Sequence, residues 1–204
     1  MFRKMGLLII CAALAGCFNA ETGMSFREDA TVVGFSAFEI DVNFASQMGG
    51  MAEFCEDGQI NQGPSSVTCV TEEEMTLAEA IAKSNEASAA ASMDTGLPEQ
   101  PEFTLQETSP GEVLVVMPIG QLLAAGQEQK SQEGMPNPAA MMAMMGIDLT
   151  GREMKFWVVA PEILDSTETI TDGGTRTEIV LPLSDVFAGL VPLEREFRVR
   201  LRYN

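Results

Sequence analysis

The chain reads as a single-domain α+β protein: a mostly antiparallel β-sheet of about six or seven strands, covered by two or three helices. Three observations predict this. Two segments alternate strictly, with Phe38, Ile40, Val42 and Phe44 set against Glu39, Asp41 and Asn43, and Phe197, Val199, Leu201 and Tyr203 set against Arg198, Arg200 and Arg202. A period of two places one set on a core and the other in water. Thr71 with Glu74, and Thr76 with Glu79, match the Thr-x-x-Glu capping box that opens a helix. Ser109-Pro110-Gly111 and Asp172-Gly173-Gly174 separate apolar runs as hairpin turns do.

Taken in order, residues 24–26 read as a brief strand, 27–29 as a turn and 31–44 as the clearest strand. Within that strand Gly34 and the Ser36-Ala37 pair shift the apolar parity, which predicts a bulge. Residues 45–54 read as a short helix weakened by Gly49-Gly50, and 56–66 as a polar loop with Asp57-Gly58 and Gly63-Pro64 turn signals. A helix then starts at the capping boxes and runs through Leu77, Ala78 and Ile81 into an Ala/Ser-rich tail toward Met93. Glu72-Glu73-Glu74 would complement the positive end of its dipole. Residues 94–101 form a linker, 102–107 and 112–118 a strand pair with Val113, Val115 and Met117 on one face, and 120–126 a helical turn or two.

A mobile, Met-rich insertion is expected at about 127–148. In it Asn137 is the N-cap, Pro138 takes the first helical position, and Gly146 stops a helix carrying Met141, Met142, Met144 and Met145. Residues 155–160 form a strand with Phe156 and Val158 opposite Trp157 and Val159, 166–171 and 175–183 a hairpin, and 184–189 a short helical turn before the last strand. There is no internal repeat, and no segment beyond the N-terminus is long and apolar enough to span a bilayer.

The N-terminus has its own logic. Arg3 and Lys4 precede an apolar run too short to cross a membrane, and small residues lead to a cysteine in Leu14-Ala15-Gly16-Cys17. That layout is a secretory signal, and its end resembles a bacterial lipobox. The resemblance implies that residues 1–16 are removed, that Cys17 is acylated, that 17–23 form a lipidated tether, and that 24–204 form the folded domain. Phe18, not aspartate, follows the cysteine, which resembles the signal for delivery to the outer membrane. The expected location is the bacterial cell envelope, lipid-anchored and facing the periplasm.

Composition excludes several roles. With 12 Lys+Arg against 30 Asp+Glu the net charge is −18, and loss of Arg3 and Lys4 with the signal makes it −20. As a whole, such a body repels nucleic acid and anionic lipid headgroups, which excludes a DNA- or RNA-binding role. Cys55 and Cys69 are an even pair in an oxidising compartment, so a disulfide is the default. The absence of histidine removes Ser-His-Asp and Cys-His mechanisms and histidine metal sites. No phosphate loop, nucleophile elbow or dinucleotide fingerprint is present. The chain therefore reads as no enzyme, with no catalytic residues, cofactor or resident metal.

Two constellations remain. Met141, Met142, Met144 and Met145 could gather thioethers for Cu(I), but methionine is also an adaptable apolar residue for gripping hydrophobic partners. The lack of histidine partners favours the second reading. Arg198, Arg200 and Arg202 form a positive stripe suited to phosphate or carboxylate oxygens, or else a solvated face paired with acidic neighbours. Together they suggest a non-enzymatic envelope lipoprotein, attached to the membrane by its N-terminal lipid, that binds a lipid or other amphiphile or an envelope protein. The alternatives are a periplasmic Cu(I)-binding protein and a structural envelope-assembly factor.

Part of the chain resembles the LppM-like domain of bacterial lipoproteins. The resemblance lies in the opening hairpin of residues 24–44 with Asp29-Ala30-Thr31 at its bend, in Leu149-Thr150-Gly151-Arg152-Glu153-Met154-Lys155-Phe156, in Ala160-Pro161-Glu162-Ile163, and in Asp172-Gly173-Gly174-Thr175 before a strand. Glu162 stands where that pattern has glycine, and Ile179-Val180 where its last strand often carries tryptophan. The resemblance implies an α+β domain and, for its best-known member, binding of a glycosylated lipid. It carries over no ligand-contacting residue.

Overall fold

The structure is a computed structural model that describes residues 17–47, 55, 58–91, 103–128 and 149–204. The fold is α+β. Its strands are β1 Cys17–Phe26, β2 Thr31–Asp41, β3 Gln59–Gln62, β4 Ser66–Thr76, β5 Thr104–Ser109, β6 Glu112–Met117, β7 Glu153–Val159, β8 Glu162–Ser166, β9 Ile170–Thr171, β10 Arg176–Pro182 and β11 Phe197–Arg202. The helices among the described residues are α1 Val42–Gln47, α2 Leu77–Ala91, α3 Ile119–Glu128 and α4 Leu183–Phe187. None of them is long and apolar enough to cross a membrane.

The strands make two sheets where one was expected. A seven-stranded sheet has the order β3-β4-β2-β1-β7-β10-β9, and a four-stranded sheet the order β5-β6-β11-β8. Pairing is antiparallel except between β1 and β7. The hairpin of β5 and β6 pairs with β11, and both sheets turn an apolar face inward. Met24, Phe26, Phe156, Val158 and Ile179 from the larger sheet join Leu105, Val113, Val115, Val199 and Leu201 from the smaller one in one core. Leu77, Ile119, Leu183 and Phe187 from the helices complete it.

The expected bulge in β2 is absent. Its pairing runs without a shift from Thr31 to Asp41 with β4 and from Val32 to Glu39 with β1, and Val32, Gly34, Ser36, Phe38 and Ile40 are all buried on one face. Gly34 and Ser36 keep the phase and mark a division of the interior. Val32 belongs to the main core, whereas Phe38 and Ile40 join Ala45, Cys55, Val67 and Cys69 in a second cluster. The one shift in this strand pair lies in β1, between Cys17 and Asn19.

Four boundaries differ from the sequence reading. Residues 17–23, expected as a tether, belong to β1: Cys17 already pairs with Ile40. The polar look of Asn19, Glu21 and Thr22 arises because they lie toward the less buried parts of the sheet. The strand at 31–44 stops at Asp41, and α1 begins at Val42, whose N–H donates to Ser65 O. The helix expected from residue 71 starts at Leu77, because β4 pairs with β2 all the way to Thr76 opposite Thr31. Glu73 and Glu74 thus lie on a strand, where they pair with Lys83 and Arg27 instead of serving a helix dipole. The 166–171 strand divides into β8, in the smaller sheet, and β9, in the larger. The hairpins at 109–111 and 172–174 form as read, with left-handed φ at Gly111, Asp172, Gly173 and Gly174.

Candidate functional site

β11 is an inner strand of the four-stranded sheet, between β6 and β8. Phe197, Val199 and Leu201 are fully buried on its inner face, so the pleat sends Arg198, Arg200 and Arg202 to the outer face. The rows there are not equivalent. Arg202 lies between Glu112 of β6 and Glu162 of β8: Nη2 donates to Glu112 Oε1 at 2.9 Å and Nη1 to Glu162 Oε2 at 2.6 Å. The Arg202 hydrogen bond holds the Glu112 carboxyl below its ordinary value, and Glu112 in turn raises the Arg202 guanidinium.

Arg200 is opposite Leu114 on β6 and Asp165 on β8. Among the described residues it makes no ion pair within 4.0 Å. Arg198 is opposite Val116, and its Nη1 is 3.6 Å from Glu196 Oε2. Arg198 and Arg200 are exposed, as are Thr104 and Gln106 on β5, while Leu114 and Val116 are half-buried beside them. One end of the face is thus an internally neutralised carboxylate–arginine–carboxylate row. The other end sets two accessible guanidinium groups beside two aliphatic side chains. Chemically, that end can take an anionic oxygen and an alkyl chain together.

Met141, Met142, Met144 and Met145 lie outside the described residues, as do residues 1–16. Cys17 is described through its backbone, at the first rung of β1. The Cys55–Cys69 disulfide is formed, with a Cα–Cα distance of 5.8 Å, inside the usual range, and it lies in the second cluster. Among the described residues no three cysteine or carboxylate side chains gather as a metal-holding group.

A second surface feature escaped the sequence reading. On the outer face of the seven-stranded sheet the Trp157 ring lies over Gly23, flanked by Phe35 at 5.6 Å between ring centroids and by the Arg176 guanidinium at 5.3 Å. Its Nε1 is buried and meets no acceptor among the described residues. Alternation placed Trp157 opposite the core. What it covers depends on a parallel pairing of β1 with β7 across more than a hundred residues, which no local pattern encodes.

No family model matches the chain, and no curated protein matches it. A solved structure similar to it is the NMR structure of the folded domain of the Mycobacterium tuberculosis LppM protein, at 13% sequence identity, with 93% of this chain and 92% of that one covered and a TM-score of 0.49.

Proposed function

We propose that this chain is a non-enzymatic lipoprotein of the bacterial cell envelope, anchored through acylated Cys17, which binds an anionic amphiphile on the outer face of its four-stranded sheet. One observation carries the ligand reading: Arg200 is exposed, free of ion pairs within 4.0 Å among the described residues, and set beside Leu114. In a chain with net charge −18, an exposed cation with no ion pair within 4.0 Å among the described residues, next to aliphatic surface, suits an anionic headgroup with an acyl chain. The Leu14-Ala15-Gly16-Cys17 sequence supports the anchor.

The test uses the full chain purified from membranes in detergent. Its intact mass should carry acyl chains, and Cys17→Ser should lose them. Titration with a water-soluble short-chain phosphatidylglycerol should show binding. Arg198→Gln with Arg200→Gln should weaken it about tenfold per charged hydrogen bond lost, with a smaller effect at high salt. Arg202→Gln should change it far less, because Arg202 is already held by two carboxylates. Binding that is absent, or indifferent to the double variant, removes the ligand reading.

A further inference from the structure

We infer that the loop of residues 188–196, between α4 and β11, enters the outer part of the lipid bilayer beside Cys17 through Leu190 and Leu193. Leu190 is 68% and Leu193 58% exposed, the two highest values among the large hydrophobic side chains described. The other exposed ones, Ile60, Ile170 and Val180, range from 36% to 46% and lie singly on three different strands. Two strongly exposed leucines three residues apart on one loop concentrate apolar surface there, and exposed apolar patches mark contact surfaces.

The loop is held in place. The Leu190 amide donates to Asp185 O and the Gly189 amide to Val186 O, which fold the loop against α4. The Gly120 amide donates to Arg195 O, and a Cβ on Gly120 would come within 2.0 Å of Pro192 O, so α3 packs directly on the loop backbone. Val191, between the two leucines, packs against the main core. The loop turns one apolar side chain inward and keeps two outward in a fixed arrangement, so little order has to be gained on insertion.

Its position names the occupant, given the proposed acylation of Cys17. β10 runs back to the end of the larger sheet where β1 begins: Pro182 pairs with Glu153, the Glu153 amide donates to Asn19 Oδ1, and Met154 pairs with Ala20. Three residues after Pro182 comes Asp185, which holds Leu190. Cys17 lies two residues beyond Asn19, about 7 Å along a strand, and is itself a rung of the ladder with no free chain after it. An acyl group on Cys17 therefore brings this end of the fold to the bilayer. The loop itself carries Glu194, Arg195 and Glu196, a net charge of −1; Glu196 pairs with Arg198 of β11, and a zwitterionic bilayer adds no repulsion to the one charge left over.

The experiment places the acylated full chain in phosphatidylcholine vesicles with or without brominated acyl chains. Leu193→Trp in a Trp157→Phe background should be quenched by the brominated lipid. Ile170→Trp in the same background should not, since β9 pairs near Arg176, opposite Val159, at the far end of the sheet. Equal or absent quenching at residue 193 overturns the inference. In the chain without these substitutions, amides of residues 193 and 194 should exchange more slowly in vesicles than in the soluble Cys17→Ser protein, and equal rates also overturn it. The mass of Cys17 separates the two readings: an acylated protein with residue 193 unquenched loses this contact and keeps the anchor. An unacylated one quenched on added vesicles keeps the contact and loses the anchor.

Discussion

Gly23 has no side chain because the Trp157 ring occupies that space: a Cβ built on it would come within 2.2 Å of Trp157 Cδ2. Here φ is not the reason for glycine; close approach of a neighbouring strand is. Gly23→Ala should therefore destabilise the fold by about 1–3 kcal/mol through overpacking, measured by chemical denaturation. In a Trp157→Ala background most of that cost should vanish, because the clashing ring is gone. An undiminished cost in the double variant would place the strain in the backbone instead.

At the scale of single elements, α2 shows how sequence sets a boundary. The Thr76 N–H and hydroxyl both donate to Glu79 Oε2, at 2.9 Å and 2.8 Å, and the Glu79 N–H donates back to Thr76 Oγ1. This is the reciprocal box that the Thr-x-x-Glu spacing predicted. The equally spaced Thr71 and Glu74 stay in β4 because their backbone groups are committed to β2. Thr76→Ala should cost about 1 kcal/mol at neutral pH. The pH dependence follows from Glu79, whose carboxyl is lowered from 4.5 first by the Thr76 backbone N–H and then by its hydroxyl. A depressed carboxylate stabilises the fold above its ordinary value and loses that contribution as pH falls through the lowered one. Glu79→Gln should accordingly be less stable than the parent at neutral pH and approach it as pH falls through the lowered value of the Glu79 carboxyl. A difference that stays constant with pH would mean that the cap does not depend on charge.

At the scale of the whole molecule the interior is divided. Gly34 and Ser36 separate the main core from the cluster of Phe38, Ile40, Val67 and Cys69, which the Cys55–Cys69 bridge fastens. Closing a sequence separation of 14 contributes about 3 kcal/mol in the chain-entropy model. Cys55→Ala with Cys69→Ala should lower the melting temperature. Amide exchange at Phe38 and Ile40 should then accelerate before that at Val199 and Leu201, which are fully buried in the other core. Simultaneous acceleration would show that the two clusters unfold as one.

The sequence by itself determined what is local. The period of two in residues 197–202 settled which side of β11 is core and which carries arginine, because a strand's side chains alternate whatever it pairs with. Asp172-Gly173-Gly174 and Thr76 with Glu79 settled a turn and a helix start, because both are satisfied within a few residues. Tertiary structure decided what depends on distant partners. That residues 17–23 belong to β1 follows from pairing with β2 and, from Ala20 on, with β7, since these residues carry no alternation strong enough to declare a strand. That Arg202 is held by two carboxylates follows from the registers of β6 and β8, which put Glu112 and Glu162 on its two sides, whereas Arg200 has Leu114 on its β6 side. The division into two sheets is of the same kind. Each strand's pattern says that it has a buried face, and only long-range packing selects the face that it is buried against.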